Sequence, residues 1–164
     1  MNGGLVREEA PMSHAQQTVT VDRPIAEVFA FLADGLNNQK WRPEITEMKL
    51  ISPGETGAAS GNDSGTGLGA EYAVSMKGVG GLAVHGDYRI TRYEEPTRLD
   101  FEVSQGAARP HGSYVLTELT PASTEVSFIL DNKATGLMWV TTPIISAELK
   151  TEAERILNLP GALS

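Results

Sequence analysis

The chain is predicted to fold as an α+β domain: one antiparallel sheet, two short helices after its first strand, and one long helix at the C-terminal end. Three observations predict it. Apolar residues recur with helical spacing only near the two ends of the chain, alternating segments fill the middle, and turn residues join those segments by connections too short for crossovers. With 164 residues, 40% of them apolar and 21% charged, there is material for one core and not for a second full domain.

Residues 1–14 mix Gly, Glu, Pro and Ser without an apolar period, with Met12 an alternative start, and are expected to be disordered. The domain is expected to occupy residues 15–164. From Gln16 the run Gln17-Thr18-Val19-Thr20-Val21 alternates and is rich in β-branched residues, so a first strand ends at Asp22. A helix should follow at once. Asp22 is expected to cap it, Pro24 fits its first turn, and Glu27 favours the positive end of its dipole. Ile25, Val28, Phe29 and Leu32 form a narrow apolar stripe that stops at Asp34-Gly35, and Leu36 to Trp41 can make a second short turn before Pro43.

Strands follow. In Ile45 to Ile51, Thr46, Met48 and Leu50 share one face against Glu47 and Lys49. Ser52 to Gly69 is Gly, Ser, Asn, Asp and Thr almost throughout and reads as a long mobile loop. Next, Tyr72, Val74 and Met76 alternate. Leu82, Val84, Tyr88 and Ile90 share the buried face of one continuous strand, and Leu99, Phe101 and Val103 alternate after the turn at Glu94-Glu95-Pro96. Strands through Tyr114-Val115-Leu116 and through Val126, Phe128 and Leu130 bring the total to about seven. At the end, Leu137, Met138 and Trp139 precede Thr142-Pro143. Ile144, Ile145, Leu149, Ala153, Ile156 and Leu157 then keep a helical period until Pro160-Gly161 stops it. Either Thr142 caps a fresh helix or one long helix kinks at Pro143; the kinked helix is favoured.

The residues Val19-Thr20-Val21-Asp22-Arg23-Pro24-Ile25-Ala26-Glu27-Val28-Phe29-Ala30-Phe31-Leu32-Ala33-Asp34, then Lys40-Trp41-Arg42-Pro43, resemble the opening of the START-like (SRPBCC) superfamily in its bacterial polyketide cyclase/dehydrase branch. Tyr88-Arg89-Ile90-Thr91-Arg92-Tyr93-Glu94-Glu95-Pro96-Thr97-Arg98-Leu99 looks like that branch's mid-sheet turn. The resemblance covers roughly Gln16 to Leu159 and implies a helix-grip fold: a curved antiparallel sheet wrapped around the C-terminal helix, with a cavity for an apolar or aromatic guest between them. These motifs are packing and turn devices, so they specify fold more than function. The long Gly/Ser loop departs from the branch pattern at the expected cavity mouth.

If that cavity exists, Tyr72, Val74, Met76, Val84, Tyr88, Phe101 and Phe128 on the sheet, and Met138, Trp139, Ile145 and Leu149 on the last helix, are the candidate ligand-binding residues. The bland alternative is ordinary core packing. His85, Asp87 and Arg89 stand at alternate positions of one strand, an arrangement suited to proton transfer. However, alternation assigns them to the face opposite Val84 and Tyr88, where they form a solvated surface. His14 and His111 have no visible partners. Catalytic residues are therefore left unassigned.

Several classes drop out. Lys plus Arg number 13 against 21 Asp plus Glu, a formal net charge of −8, which disfavours nucleic acid and anionic membranes. The chain has no cysteine, and its three histidines lack zinc-site spacing, so no metal and no cofactor is expected. Gly65-Thr66-Gly67-Leu68-Gly69 leads into a strand and lacks the lysine of a phosphate loop. The sequon Asn62-Asp63-Ser64 carries no weight without a secretory signal, and Ser64 lacks the setting of a hydrolase nucleophile. No apolar run spans a membrane and the first twenty residues hold no secretory pattern, so a cytoplasmic protein is expected. Three functions remain: a binder of an apolar or aromatic small molecule such as a lipid, quinone or polyketide; an aromatase/cyclase/dehydratase-type enzyme; or a protein-interaction module with a filled core. Oligomeric state is not readable.

Overall fold

The computed structural model describes residues 12–55, 66–105, 109–133 and 149–164. Strand β1 (Met12–Val21) leads into helix α1 (Ile25–Ala33) and a 3-10 turn (Gly35–Lys40). Seven more strands follow: β2 (Ile45–Ser52), β3 (Glu71–Lys77), β4 (Ala83–His85), β5 (Tyr88–Glu94), β6 (Arg98–Val103), β7 (His111–Thr120) and β8 (Ser123–Lys133). Every pairing is antiparallel, in the order β1-β8-β7-β6-β5-β3-β2, with β4 attached to β3. The sheet is curled. Residues 149–154 are helical and run through a 3-10 turn (Arg155–Asn158) into a short helix α2 (Leu159–Ala162).

The apolar stripe of α1 does what its spacing predicts: Val28, Phe29 and Leu32 are buried, and Phe29 meets Tyr93 of β5 edge-on at 5.1 Å. Across the sheet, Val126, Phe128 and Leu130 of β8 face the same core, and Leu149, Ala153, Ile156 and Leu159 close it from the C-terminal segment. Glycine at 112 has a steric reason. It pairs with Phe101, and an added Cβ would lie 2.0 Å from the Phe101 ring, so the aromatic ring lies flat over bare backbone.

Several expectations are corrected. β1 begins at Met12, so Met12, Ser13 and His14, expected outside the fold, pair with Lys133, Asn132 and Asp131. Asp22 does not cap α1; Pro24 holds the N-cap position without a side-chain bond, and its carbonyl accepts from the amides of Glu27 and Val28. Asp34 does cap, accepting from the Leu36 amide at 3.1 Å and so starting the 3-10 turn. In β2 a register shift between Ile45 and Glu47 changes the phase. Ile45 and Met48 are buried while Thr46 is exposed, although plain alternation puts Thr46 beside Met48. The segment Leu82 to Ile90 is two strands, not one. Leu82 and Val84 are exposed, at 73% and 45%, whereas Tyr88 and Ile90 are buried. Pro160 does not end the helical path: it stands in the first turn of α2, where its missing N–H costs nothing. The expectations for residues 1–11, for most of the Gly/Ser loop, and for Leu137, Met138, Trp139, Pro143, Ile144 and Ile145 lie outside the described residues.

Candidate functional site

A row of aromatic rings crosses the concave side of the sheet. Tyr72 of β3 stacks on Tyr88 of β5 at 5.1 Å, and Tyr88 meets Phe101 of β6 at 5.3 Å. Phe101 meets Tyr114 of β7 at 5.8 Å, and Tyr114 stacks on Phe128 of β8 at 4.7 Å and 8°. The row follows the register, since Tyr72 is opposite Tyr88 and Tyr114 is opposite Phe128. Trp41, just after the 3-10 turn, stands edge-on over Tyr114 and Phe128.

Polar groups are set into this apolar wall. The buried Asn38 amide donates from Nδ2 to the Tyr88 hydroxyl at 3.1 Å, while its Oδ1 has no partner. The buried Trp41 Nε1 has none either. Buried polar atoms are nearly always paired, so unpaired ones in such a place call for an explanation. A cavity of about 10 Å³, near the least space that one water needs, lies between Leu32, Asn38, Arg42, Tyr88, Ile90, Phe101 and Tyr114.

Arg42 is bound to its surroundings on two sides. Its Nε donates to Glu44 Oε1 at 2.9 Å, and its Nη2 bonds Glu152 of the C-terminal helix. Arg155 pairs with the other oxygen of Glu44. Two cations thus meet two carboxylates, and the group's formal charge cancels. Arg42 is desolvated, which works against its charge, but the two carboxylates outweigh that and hold its pKa above the ordinary guanidinium value. Burial, the largest influence on each, raises the phenols of Tyr72, Tyr88 and Tyr114 above the ordinary tyrosine value. They are neutral hydrogen-bonding groups at physiological pH. From the helix side, Asn158 Nδ2 donates to the Trp41 carbonyl at 3.2 Å, so the segment before β2 and the C-terminal helix are joined at both charged and neutral contacts.

Of the residues selected from sequence, Tyr88 and Phe101 line the cavity, and Tyr72, Val74, Phe128 and Leu149 are buried in the core around it. Met76 is half-buried. Val84 is on the short β4, exposed to solvent and apart from the aromatic row. Met138, Trp139 and Ile145 are outside the described residues. The polar strand residues are accounted for structurally. Asp87 bridges the break between β4 and β5, its Oδ1 accepting the Val74 amide at 3.0 Å and its carbonyl accepting the Ser104 amide at 2.8 Å. Arg89 is exposed between the buried Tyr88 and Ile90, as alternation predicts, and His85 is exposed on β4, where Val84 is exposed as well. Sequence reasoning missed Asn38, Arg42 and Tyr114. Arg42 gave a signal in Trp41-Arg42-Pro43, where an arginine sits between a large aromatic and a proline, but no period tells which way a side chain in a turn points. Among the described residues, no group of three or more His, Asp or Glu is placed to share a metal ion, and no helix is long and apolar enough to cross a membrane.

A curled antiparallel sheet, with helical turns after β1 and a C-terminal helix closing the core, is the START-like helix-grip architecture. The solved structure of a START superfamily protein from Mycobacterium smegmatis has it at TM-score 0.65 and 15% identity, over 92% of this chain and 99% of that one. The chain belongs to the polyketide cyclase / dehydrase and lipid transport family, whose profile matches residues 12–157. The Zhui aromatase/cyclase from a Streptomyces species is similar at TM-score 0.66 and 17% identity, over 93% of this chain and 94% of that one. A protein from Thermus thermophilus is similar at TM-score 0.66 and 15% identity, over 92% and 93%. No curated protein matches the chain.

Proposed function

We propose that the chain binds an apolar or aromatic small molecule between the aromatic row of the sheet and the C-terminal helix. The observation that carries this reading is the unpartnered Asn38 Oδ1 at a cavity in the aromatic wall, with a second unpartnered buried atom, Trp41 Nε1, on the ring that stands over Tyr114 and Phe128. Buried polar atoms are nearly always paired, and a ligand that supplies the missing partner recovers the cost of about 1–3 kcal/mol each. Membership of a family of cyclases, dehydrases and lipid transporters supports the same reading. The cavity among the described residues holds only about 10 Å³, so a guest enters it by displacing side chains, and binding and opening are one event.

Carriage is favoured over acid/base catalysis by the chemistry of the described interior. All three histidines of the chain are exposed, Asp87 is a structural bridge, and the interior phenols are shifted away from neutrality. The interaction-module reading draws on a different feature, the exposed Ile51, Leu82 and Val84 of β2, β4 and its preceding turn. A thermal-shift series of lipids, quinones, flavonoids and aromatic polyketides separates the two. A ligand at about 100 times its Kd should stabilise by about 2.7 kcal/mol. Absence of any shift across the series, in both the native chain and a Phe101→Ala chain with an enlarged interior, would refute the binding proposal.

A further inference from the structure

We infer that the buried end of the guest is an uncharged hydroxyl, seated between Asn38 and Tyr88. This rests on the binding function proposed above and names the chemical class that the site selects. The argument begins with the amide. With Asn38 Nδ2 donating to the Tyr88 oxygen, Oδ1 is left as an acceptor, and the Tyr88 proton remains available for donation. With the amide turned over, Tyr88 donates to Oδ1 and the NH2 is left as a donor. Either arrangement leaves a polar atom of Asn38 unpaired, and a hydroxyl, which both donates and accepts, satisfies each of them.

A carboxylate does not fit equally well. It accepts only, so it leaves Asn38 Oδ1 orphaned in the first arrangement. The cation that would otherwise attract it, Arg42, is already held by Glu44 and Glu152, and Arg155 is held by Glu44. Adding an anion would leave one uncompensated negative charge in a desolvated place, beside carboxylates that repel it. An ammonium group meets no free carboxylate there. The cavity between Asn38, Arg42, Tyr88 and Tyr114 has about 10 Å³, the scale of a single hydroxyl oxygen, while the rest of the guest must lie along the aromatic row.

The test uses three probes with one skeleton, 2-naphthol, 2-naphthoate and naphthalene, titrated into the full chain at pH 7, where the first is neutral and the second ionised. Calorimetry should give at least a tenfold tighter Kd for 2-naphthol than for either other probe. In Asn38→Leu and Tyr88→Phe, each checked for a cooperative melt, that preference should fall below threefold while naphthalene binding holds. Naphthoate binding as tightly as naphthol, or a naphthol preference that survives both substitutions, would overturn the hydroxyl assignment and leave small-molecule binding standing. If none of the probes binds to the native chain or to Phe101→Ala while a member of the thermal-shift series does, the hydroxyl assignment falls and small-molecule binding stands; no response in either experiment overturns both.

Discussion

Gly35 is where the 3-10 turn presses on the tyrosine pair, and replacing it by alanine probes the aromatic wall directly. An added Cβ would sit 2.4 Å from the Tyr88 hydroxyl oxygen and 2.8 Å from Tyr72 Cε1 and Cζ. Contact distances are normally about 3.5 Å, so one ring must retreat by about 1 Å and the other by about 0.7 Å. Neither moves freely, because the rings stack on each other at 5.1 Å and Tyr88 rests on Phe101 at 5.3 Å. Overpacking of this kind costs about 1–3 kcal/mol. Gly35 lies in a helical turn and is not among the positive-φ glycines, so alanine suits the backbone and returns about 0.4–1 kcal/mol through the unfolded chain. Gly35→Ala should therefore destabilise by about 1–2 kcal/mol, read as a lower urea midpoint at unchanged m value. In a Tyr88→Phe background the nearest clashing atom is gone, and the cost of Gly35→Ala should drop by about 1 kcal/mol. A neutral or stabilising Gly35→Ala, or the same cost in both backgrounds, would refute the geometry of the tyrosine wall.

Arg42→Met should cost about 3 kcal/mol, because Glu44 is then left nearly buried with only Arg155 to offset two carboxylates, and adding Glu152→Gln should recover part of the loss; a urea cost under 1 kcal/mol contradicts the clasp. The buried phenols set an alkaline limit. Their pKa values are raised by folding, so the neutral form is favoured in the native state and the associated stability is complete below the unfolded value of about pH 10. It is lost as pH climbs beyond that, so denaturation midpoints should fall above pH 10, and phenolate absorbance from the interior tyrosines should appear only as the chain unfolds. Asp87→Ala should cost about 1–3 kcal/mol by stranding the Val74 amide, and should leave ligand affinity within twofold; a specific loss of binding or turnover would return Asp87 to a functional role.

Period and turn chemistry made most of the fold legible. The stripe Ile25, Val28, Phe29, Leu32 and the alternation of Val126, Phe128, Leu130 each record one face of a regular element, and the structure buries them accordingly, with Ile25 half-buried at the edge of the core. What failed did so where the period breaks. The shift between Ile45 and Glu47 and the break at Gly86-Asp87 change which side is inside; the first is unmarked by composition, whereas the second carries its own signal, two residues that strands disfavour, which plain alternation passed over. The candidate site was legible in its apolar half only. Tyr72, Tyr88, Phe101 and Phe128 lie on regular strands, so alternation finds them. Asn38 and Arg42 lie on a 3-10 turn and the turn after it, and their inward direction is fixed by contacts with Tyr88 and with Glu152, 110 residues away. No local pattern encodes such a partner.

The pairing of the first strand with the last has a cost in time. β1 is joined to β8 from Met12↔Lys133 to Val21↔Thr124, so its partner is always more than 100 residues downstream. During synthesis at about 5–20 residues per second, β1 waits about 5–20 seconds after leaving the ribosome before the strand that covers its edge exists. Through that interval an edge rich in Val and Thr is open to any passing strand, and the nascent chain depends on speed of closure or on a chaperone to reach its own partner first.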